Sequence, residues 1–336
     1  MWDYIKNSGK YPESETWAMD WIGMVPGKRE SRRIIGEHVL TQADLETGGA
    51  EFKDPVCIGG WSMDDHPSGG FNDSNIRPAS QTNLDQPYNI PLRSLFSRDL
   101  DNMFMAGRNA SCSHVAFSST RVMATCAVMG QAVGTAAAQC VSDRILPSLL
   151  ASDLSNMDKL RQTLLRQDQT IKQAVRRDSR DLAVKATISA PDTISGSSPG
   201  NIVDGEVRDM EGEYLHRWAS RMDSSTPWIR LQWEKPIRAS EVQITFDTGF
   251  HRELTLSGSD GVTGRTIRAP QPETVKDYRI SVTDIQGKTM ELGWVKNNYQ
   301  RLRKHPFRPM DIRSMTIHVE ATNGSDIASI FEVRVY

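Results

Sequence analysis

Two stretches of this chain gather residue types that can move protons. In a turn-rich loop, Trp61 is followed by Asp64-Asp65-His66. A carboxylate close to an imidazole can support a base that takes the proton from a substrate hydroxyl while hydride leaves the carbon. Adjacent residues seldom face one another, so the run is no dyad by itself, and a structural loop is an equal alternative. His114 is a second candidate base, though a lone histidine is more often structural. No second histidine stands at metal-ligand spacing from His66. Lys28-Arg29-Glu30-Ser31-Arg32-Arg33 precedes the apolar Ile34-Ile35. Read as a strand, it puts Arg29, Ser31 and Arg33 on one face and Glu30 and Arg32 on the other. Arginines there can grip an anionic oxygen in bidentate fashion; a solvated edge laced with ion pairs is the alternative.

The elements that must position these groups are read from the apolar pattern. Asn102–Ala106 is a short apolar run expected to be a buried strand, turned at Gly107-Arg108-Asn109. A polar loop, Ser111–Ser119, then leads into an expected helix from Thr120 to Cys140. Cys126, Gly130, Gly134 and Ala138 are four apart and share one stripe of that helix. Glycine inside a helix costs about 1 kcal/mol relative to alanine. Two on one stripe therefore indicate close approach, either by a flat ring or by a packed sheet. The helix start offers free N–H groups and a positive dipole end, which suits an anionic oxygen.

These motifs carry a resemblance. The run 101–138, with PGKRESRR at 26–33, GGWSMDDHP at 59–67 and YNIPLRSL at 88–95 in the same order, resembles the C-terminal part of FAD-dependent oxidoreductases of the glutathione-reductase-like fold. The resemblance covers residues 1–145. It implies that Gly107, Arg108 and Asn109 border the cofactor and that the helix start at Arg121, Val122 and Met123, with Gly130 beyond it, faces the flavin. It tilts Arg29, Asp65, His66 and His114 toward catalysis, and Tyr88, Arg93 and Arg32 toward the substrate. That fold binds the pyrophosphate on a GxGxxG turn near its N-terminus, and no GxG occurs in this sequence. The expectation is a C-terminal portion, whether a fragment, a truncated reading frame or half of a split protein with its N-terminal half as partner, that binds FAD weakly or not at all and is inactive alone.

Composition narrows the partners. With 336 residues, about two domains are expected. A formal charge of −2 and the lack of long basic runs argue against nucleic acid and anionic membrane as partners. The apolar stretch 122–141 contains Thr125, Gln131, Thr135 and Gln139, so it reads as a buried helix rather than a membrane span. The four cysteines show no metal-ligand spacing.

Three parts follow: residues 1–145; a helical connector over 146–180, with Asp153 as N-cap and Leu154, Met157, Leu160, Leu164, Leu165 and Ile171 at helical spacing; and residues 181–336, where short strand-like runs alternate with turn clusters. The fold class expected is an α+β partial FAD-binding and substrate domain followed by an all-β jelly-roll sandwich. Asn201–Gly205, Arg217–Ser220 and Pro227–Leu231 resemble a galactose-binding-like, discoidin-type domain. Such modules often hold a structural Ca2+, for which Asp204 and Glu332 would be the acids. Tyr214, His216, His251 and Arg252 are candidate sugar contacts. In Trp228–Trp233, alternation assigns Ile229, Leu231 and Trp233 to the core; Trp218 is expected there too. Two functional readings stand. One is an FAD enzyme oxidising a carbohydrate or other polyhydroxy small molecule by hydride transfer, the complete protein being periplasmic or extracellular. The other is a non-catalytic carbohydrate- or surface-binding protein in which only the sandwich works.

Overall fold

A computed structural model describes residues 1–25, 29–73, 75–209, 216–222, 226–252, 254 and 257–336. Pro26, Gly27 and Lys28 of the basic motif, Tyr214, and residues 253, 255 and 256 lie outside this set.

The first part opens with α1 (Trp2–Asn7) and α2 (Gln42–Glu46). Thr41 and Asp44 cap α2 reciprocally. Two antiparallel pairs follow: β1 (Pro55–Gly59) with β4 (Tyr88–Pro91), and β2 (Met63–Asp65) with β3 (Ser80–Thr82). Tyr88 is fully buried and lies flat on Gly59, where an added Cβ would come 2.4 Å from its ring. Only glycine fits that contact. The expected loop at 111–119 is instead mostly helix, α3 (His114–Thr120), followed by α4 (Met123–Asp143). Ser113 makes the difference: its side chain accepts from the Ala116 N–H and starts a helix whose Ser and Thr hydroxyls are buried. His114 therefore sits on the first turn of α3. The chain breaks at Val122, which is extended, so the helix expected from Thr120 starts at Met123.

Asn102–Ala106 is not a strand; Phe104 makes one isolated bridge, with Phe96. The segment after Arg29 runs extended but outside any strand. Its hydrogen bonds go to separate places: Ile34 N–H to Asn109 O, Arg98 N–H to Ile35 O.

Helices α5 (Pro147–Ser152) and α6 (Leu154–Arg166) pack Leu150, Met157, Leu160 and Leu164 into the same core as Val56, Tyr88, Phe117 and Met129. Asp153 caps α6 as its sequence implies. The helix does not continue to residue 180. Asp168 turns the backbone left-handed, at φ 66°, and pairs with Arg301 of the second part at 2.7 Å. Gln169 is buried and donates to Val56 O and Val128 O. These tertiary bonds override the helical propensity of the sequence.

The second part is antiparallel: β5 (Thr187–Ser189), β6 (Trp218–Arg221), β7 (Trp228–Phe246), β8 (Val275–Asp284), β9 (Thr289–Val295), β10 (Leu302–Thr322) and β11 (Ile327–Val335), with a short helix α7 (Asp260–Thr263). Strands β7 and β10 are long enough to serve two layers. The first half of β7 pairs with β5 and with the second half of β10, which continues to β8 and β9. The second half of β7 pairs with β11 and the first half of β10, and β11 continues to β6. The run 228–233 is thus only the first part of one long strand. It crosses between layers around Pro236, whose missing N–H interrupts the ladder. Between the layers lie Ile229, Leu231, Trp233, Ile244, Phe246, Ile317 and Val333. Trp218 is fully buried, and its indole N–H reaches Asp192 O at 3.3 Å. No helix among the described residues is long and apolar enough to cross a membrane.

Candidate active site

The break between α3 and α4 brings three segments to one recess of about 110 Å³, lined by Arg29, Glu30, Asp64, Asp65, His66, His114 and Arg121, among others. The extended segment contributes Arg29 and Glu30, β2 contributes the two aspartates, and the helix pair contributes His114 and Arg121. Arg29, Asp65, His66 and His114, widely separated in sequence, meet here.

The two histidines have different surroundings. Nδ1 of His66 lies 2.8 Å from the carbonyl of Pro78. A carbonyl can only accept, so Nδ1 carries a proton, and in the neutral tautomer Nε2 is the free nitrogen facing the recess. That nitrogen is 3.5 Å from Arg29 Nη2 and 3.5 Å from Asp64 Oδ2. His114 lies between two carboxylates: Nδ1 is 2.9 Å from Glu30 and Nε2 is 2.9 Å from Asp65. The second contact is short but poorly aligned, since Asp65 Oδ1 makes no hydrogen bond of good geometry. The bond to Glu30 holds His114 above its ordinary value against burial; Asp65 adds to the rise and Arg33 opposes it. Burial pushes the Glu30 carboxyl up, but bonds from His114 and Arg33 outweigh it and hold it below the usual range. Arg33 reaches Glu30 at 2.5 Å and lies over the Phe117 ring.

A raised imidazole stabilises the fold below its unfolded value of about 6.5 and loses that contribution as pH rises through its folded value. The depressed Glu30 contributes above the unfolded carboxylate value and is lost as pH falls through its folded one. The pair therefore acts in the window between these limits. In Glu30→Gln, ring NMR should show the His114 titration moved to lower pH. The urea midpoint should drop by more at pH 6 than at pH 9, where only the contact of Glu30 with Arg33 is lost. An unmoved His114 titration would show that the contact is not made.

Arg121 closes the recess from the helix side. Its Nη2 donates to the backbone carbonyl and the carboxylate of Asp64, at 3.1 and 2.8 Å. Asp64 and Glu30 are the functional candidates that residue type alone did not single out. Asp64 could have been found from its place in the same acidic run, and Glu30 from its place inside the arginine-rich one.

On the cofactor side, Gly107 is left-handed at φ 88° and sits beside Cys126. Arg108 and Asn109 are exposed. Helix α4 starts at Val122 without a side-chain cap, and Met123 is 74% exposed. An added Cβ at Gly130 or Gly134 would meet nothing within 4 Å among the described atoms. The glycine stripe is therefore not there for packing on a sheet of this chain; α4 packs through Thr125, Met129, Ala132 and Ala136. If a flavin is bound at this end, the uncapped start of α4, with the N–H groups of Met123 and Ala124, is where its anionic oxygens could be held.

Other expected residues lie elsewhere. Tyr88 is buried, bonded to Ser119 at 2.8 Å, and cannot meet a substrate. Arg93 is bound to Asp54 through its backbone N–H and Nε, at 2.8 and 3.2 Å. Arg32 is exposed and does not line the recess. The two acids expected to hold Ca2+ both have protein partners. Asp204 accepts from His216 and Glu206, while the Glu332 carboxylate lies between the guanidinium groups of Arg176 and Arg334, which leave no room for a metal ion's charge. No group of three or more His, Cys, Asp or Glu among the described residues is gathered as a metal site. His216 pairs with Asp204, and Arg252 with Glu273.

A sequence model of the FAD dependent oxidoreductase family matches residues 1–164, and one of a domain of unknown function (DUF7402) matches residues 181–245. No curated protein matches the chain. Among solved structures, the family 32 carbohydrate-binding module of Streptococcus pneumoniae EndoD is 15% identical and covers 46% of this chain and 98% of its own, at a TM-score of 0.35. The family 32 module of C. perfringens NanJ, solved with galactose, is 17% identical, with 46% and 96% covered and a TM-score of 0.35. The fucose binding module SpX-3 of Streptococcus pneumoniae is 13% identical, with 46% and 96% covered and a TM-score of 0.36. Residues 1–164 thus carry an FAD dependent oxidoreductase domain, and an antiparallel β-sandwich follows it.

Proposed function

We propose that the recess between the Asp64–His66 loop and the α3–α4 break is the substrate end of a flavin-dependent site that oxidises an alcohol of a carbohydrate or other polyhydroxy compound. The observation that carries this reading is the meeting of two histidines with different partners in one recess, His66 with Nδ1 on the Pro78 carbonyl and His114 between the carboxylates of Glu30 and Asp65. Different partners suit the two imidazoles to different roles. His66 Nε2 accepts the hydroxyl proton as the carbon–hydrogen bond breaks and the carbonyl forms. Asp64, 3.5 Å away, stabilises the imidazolium so produced. His114, protonated between Glu30 and Asp65, is not the base; it fixes the two carboxylates as walls that can accept from further hydroxyls. A bound flavin supplies the two-electron acceptor. Gly107 and the open start of α4 are the groups proposed to hold its ring.

The sequence supplies no GxGxxG turn, so we expect the 336-residue chain to hold FAD weakly. The test is anaerobic flavin bleaching by a panel of aldoses, alditols and glycosides, with FAD in enough excess to offset the weak binding expected to leave the chain inactive alone. Bleaching by at least one polyhydroxy compound and by none of the matched simple alcohols is expected. Bleaching by simple alcohols alone would overturn the substrate class.

A further inference from the structure

The cations of the candidate active site differ in what they touch. Arg33 reaches Glu30 at 2.5 Å, Arg121 reaches Asp64 at 2.8 Å, and His114 stands 2.9 Å from both Glu30 and Asp65. Arg29 also lines the recess, but among the described residues it makes no ion pair. Its guanidinium has one polar contact there, with His66 Nε2 at 3.5 Å, beyond the usual length of a hydrogen bond. The arginine-rich run thus divides: Arg33 belongs to an ion-paired edge, and Arg29 keeps most of its N–H donors unused. An anionic group entering the recess is repelled by Glu30, Asp64 and Asp65 and attracted by Arg29, so it has one place to lie.

We propose that the recess takes a 2-hydroxy carboxylate of the sugar-acid type, its carboxylate on Arg29 and the adjacent hydroxyl on His66 Nε2. The inference rests on the flavin-dependent reading above and narrows its substrate class. Hydrogen bonds span about 2.7–3.2 Å, and the two nitrogens stand 3.5 Å apart, so the oxygens they hold lie close together. A hydroxyl on the carbon next to the carboxylate meets that spacing directly. The ligand replaces one long nitrogen–nitrogen contact by two good bonds, and the arginine fork can grip both carboxylate oxygens. The recess of about 110 Å³ has the space of about four waters at ~30 Å³ each, enough for the acid end of the molecule. In the oxidation the hydroxyl proton passes to His66 Nε2, the hydrogen on the same carbon leaves as hydride to the flavin, and a 2-oxo acid remains.

Gluconate, glucitol and 2-deoxygluconate separate the two contacts, since glucitol lacks the carboxylate and 2-deoxygluconate the neighbouring hydroxyl. The first readout is calorimetric titration of the full chain without flavin. Charge-assisted bonds contribute about 1.5–3 kcal/mol, so gluconate should bind saturably and about 10- to 100-fold tighter than glucitol, with 2-deoxygluconate between them. Arg29→Gln should abolish the advantage over glucitol, and Arg29→Lys, which keeps the charge without the fork, should retain part of it. Arg29 is exposed, and a parental urea midpoint in both variants checks the fold. The second readout is anaerobic bleaching of excess FAD by the same compounds. Gluconate bound with this preference but bleaching no flavin would remove the oxidation reading and leave the carboxylate contact standing. No saturable binding of gluconate, glucitol or 2-deoxygluconate bound as tightly as gluconate, or a preference that survives Arg29→Gln would overturn the inference, whatever the flavin does.

Discussion

Replacing His66 by asparagine is expected to slow anaerobic flavin bleaching by the best sugar substrate about 10²- to 10⁴-fold, the range that general-base catalysis contributes. Asparagine is the informative substitution. Its side-chain NH2 can replace the Nδ1–H that bonds Pro78 O at 2.8 Å, so the loop keeps its anchor while the basic Nε2 is removed. Substrate affinity should change little, which separates a lost base from a collapsed recess. His66→Gly should lose the same activity and regain part of it with added imidazole. His114→Gln should behave differently. It removes the bridge between Glu30 and Asp65, so KM should rise more than kcat falls. If His66→Asn retains more than a tenth of the parental rate, His66 is not the base.

Glu332→Ala is expected to destabilise the chain by about 3–5 kcal/mol, the cost of leaving buried charge without its partner. Four charged groups lie here out of water. Arg176, Asp181 and Glu332 have side chains 1%, 0% and 3% exposed, and Arg334 is 2% exposed. Arg176 bonds Asp181 and reaches Glu332 at 2.7 Å; Arg334 Nε donates to Glu332 at 2.6 Å. Asp181 in turn accepts from the N–H groups of Ala183 and Val335, at 3.0 and 2.9 Å. Removing Glu332 leaves two guanidinium groups facing each other with one carboxylate between them. The cluster pins the linker at 176–181 to β11, so its loss should also expose Arg177 and Arg180 to trypsin. Urea denaturation followed by tryptophan fluorescence measures the first effect and limited proteolysis the second. A loss below ~1 kcal/mol would show that water reaches the cluster.

Much of this arrangement was legible in the sequence because it is written in local patterns. The alternation of Trp228–Trp233 places Ile229, Leu231 and Trp233 inside, and the structure buries all three. Asp153 caps α6 where a polar residue precedes an apolar run. The candidate residues Arg29, Asp65, His66 and His114 converge, although spacing alone could not bring residues 29 and 114 together. What escaped was set by contacts distant in sequence. Propensity favours helix beyond Arg166, but Gln169 and Asp168 are taken by β1 and by Arg301. Tyr88 reads as a residue of the substrate side until Gly59 is seen to accept its ring. Glu332 reads as a free acid until Arg176, far earlier in the chain, folds onto it. The glycine stripe of α4 indicated close approach, and only the structure shows that no described part of this chain occupies that face.

The flavin-ring end of the site is tested most directly by comparing riboflavin, which carries the ring without the pyrophosphate, with FAD. Fluorescence quenching on titration with the full chain is the readout. The geometry at Gly107 and the start of α4 predicts weak, saturable binding that is equal for the two ligands within about threefold, and that is reduced in Gly130→Leu, where the side chain would fill the open face. Contradiction would take one of two forms. Either FAD binds a hundredfold tighter than riboflavin, which requires a pyrophosphate site in this chain, or neither ligand quenches at all, which removes the flavin ring from this face of α4.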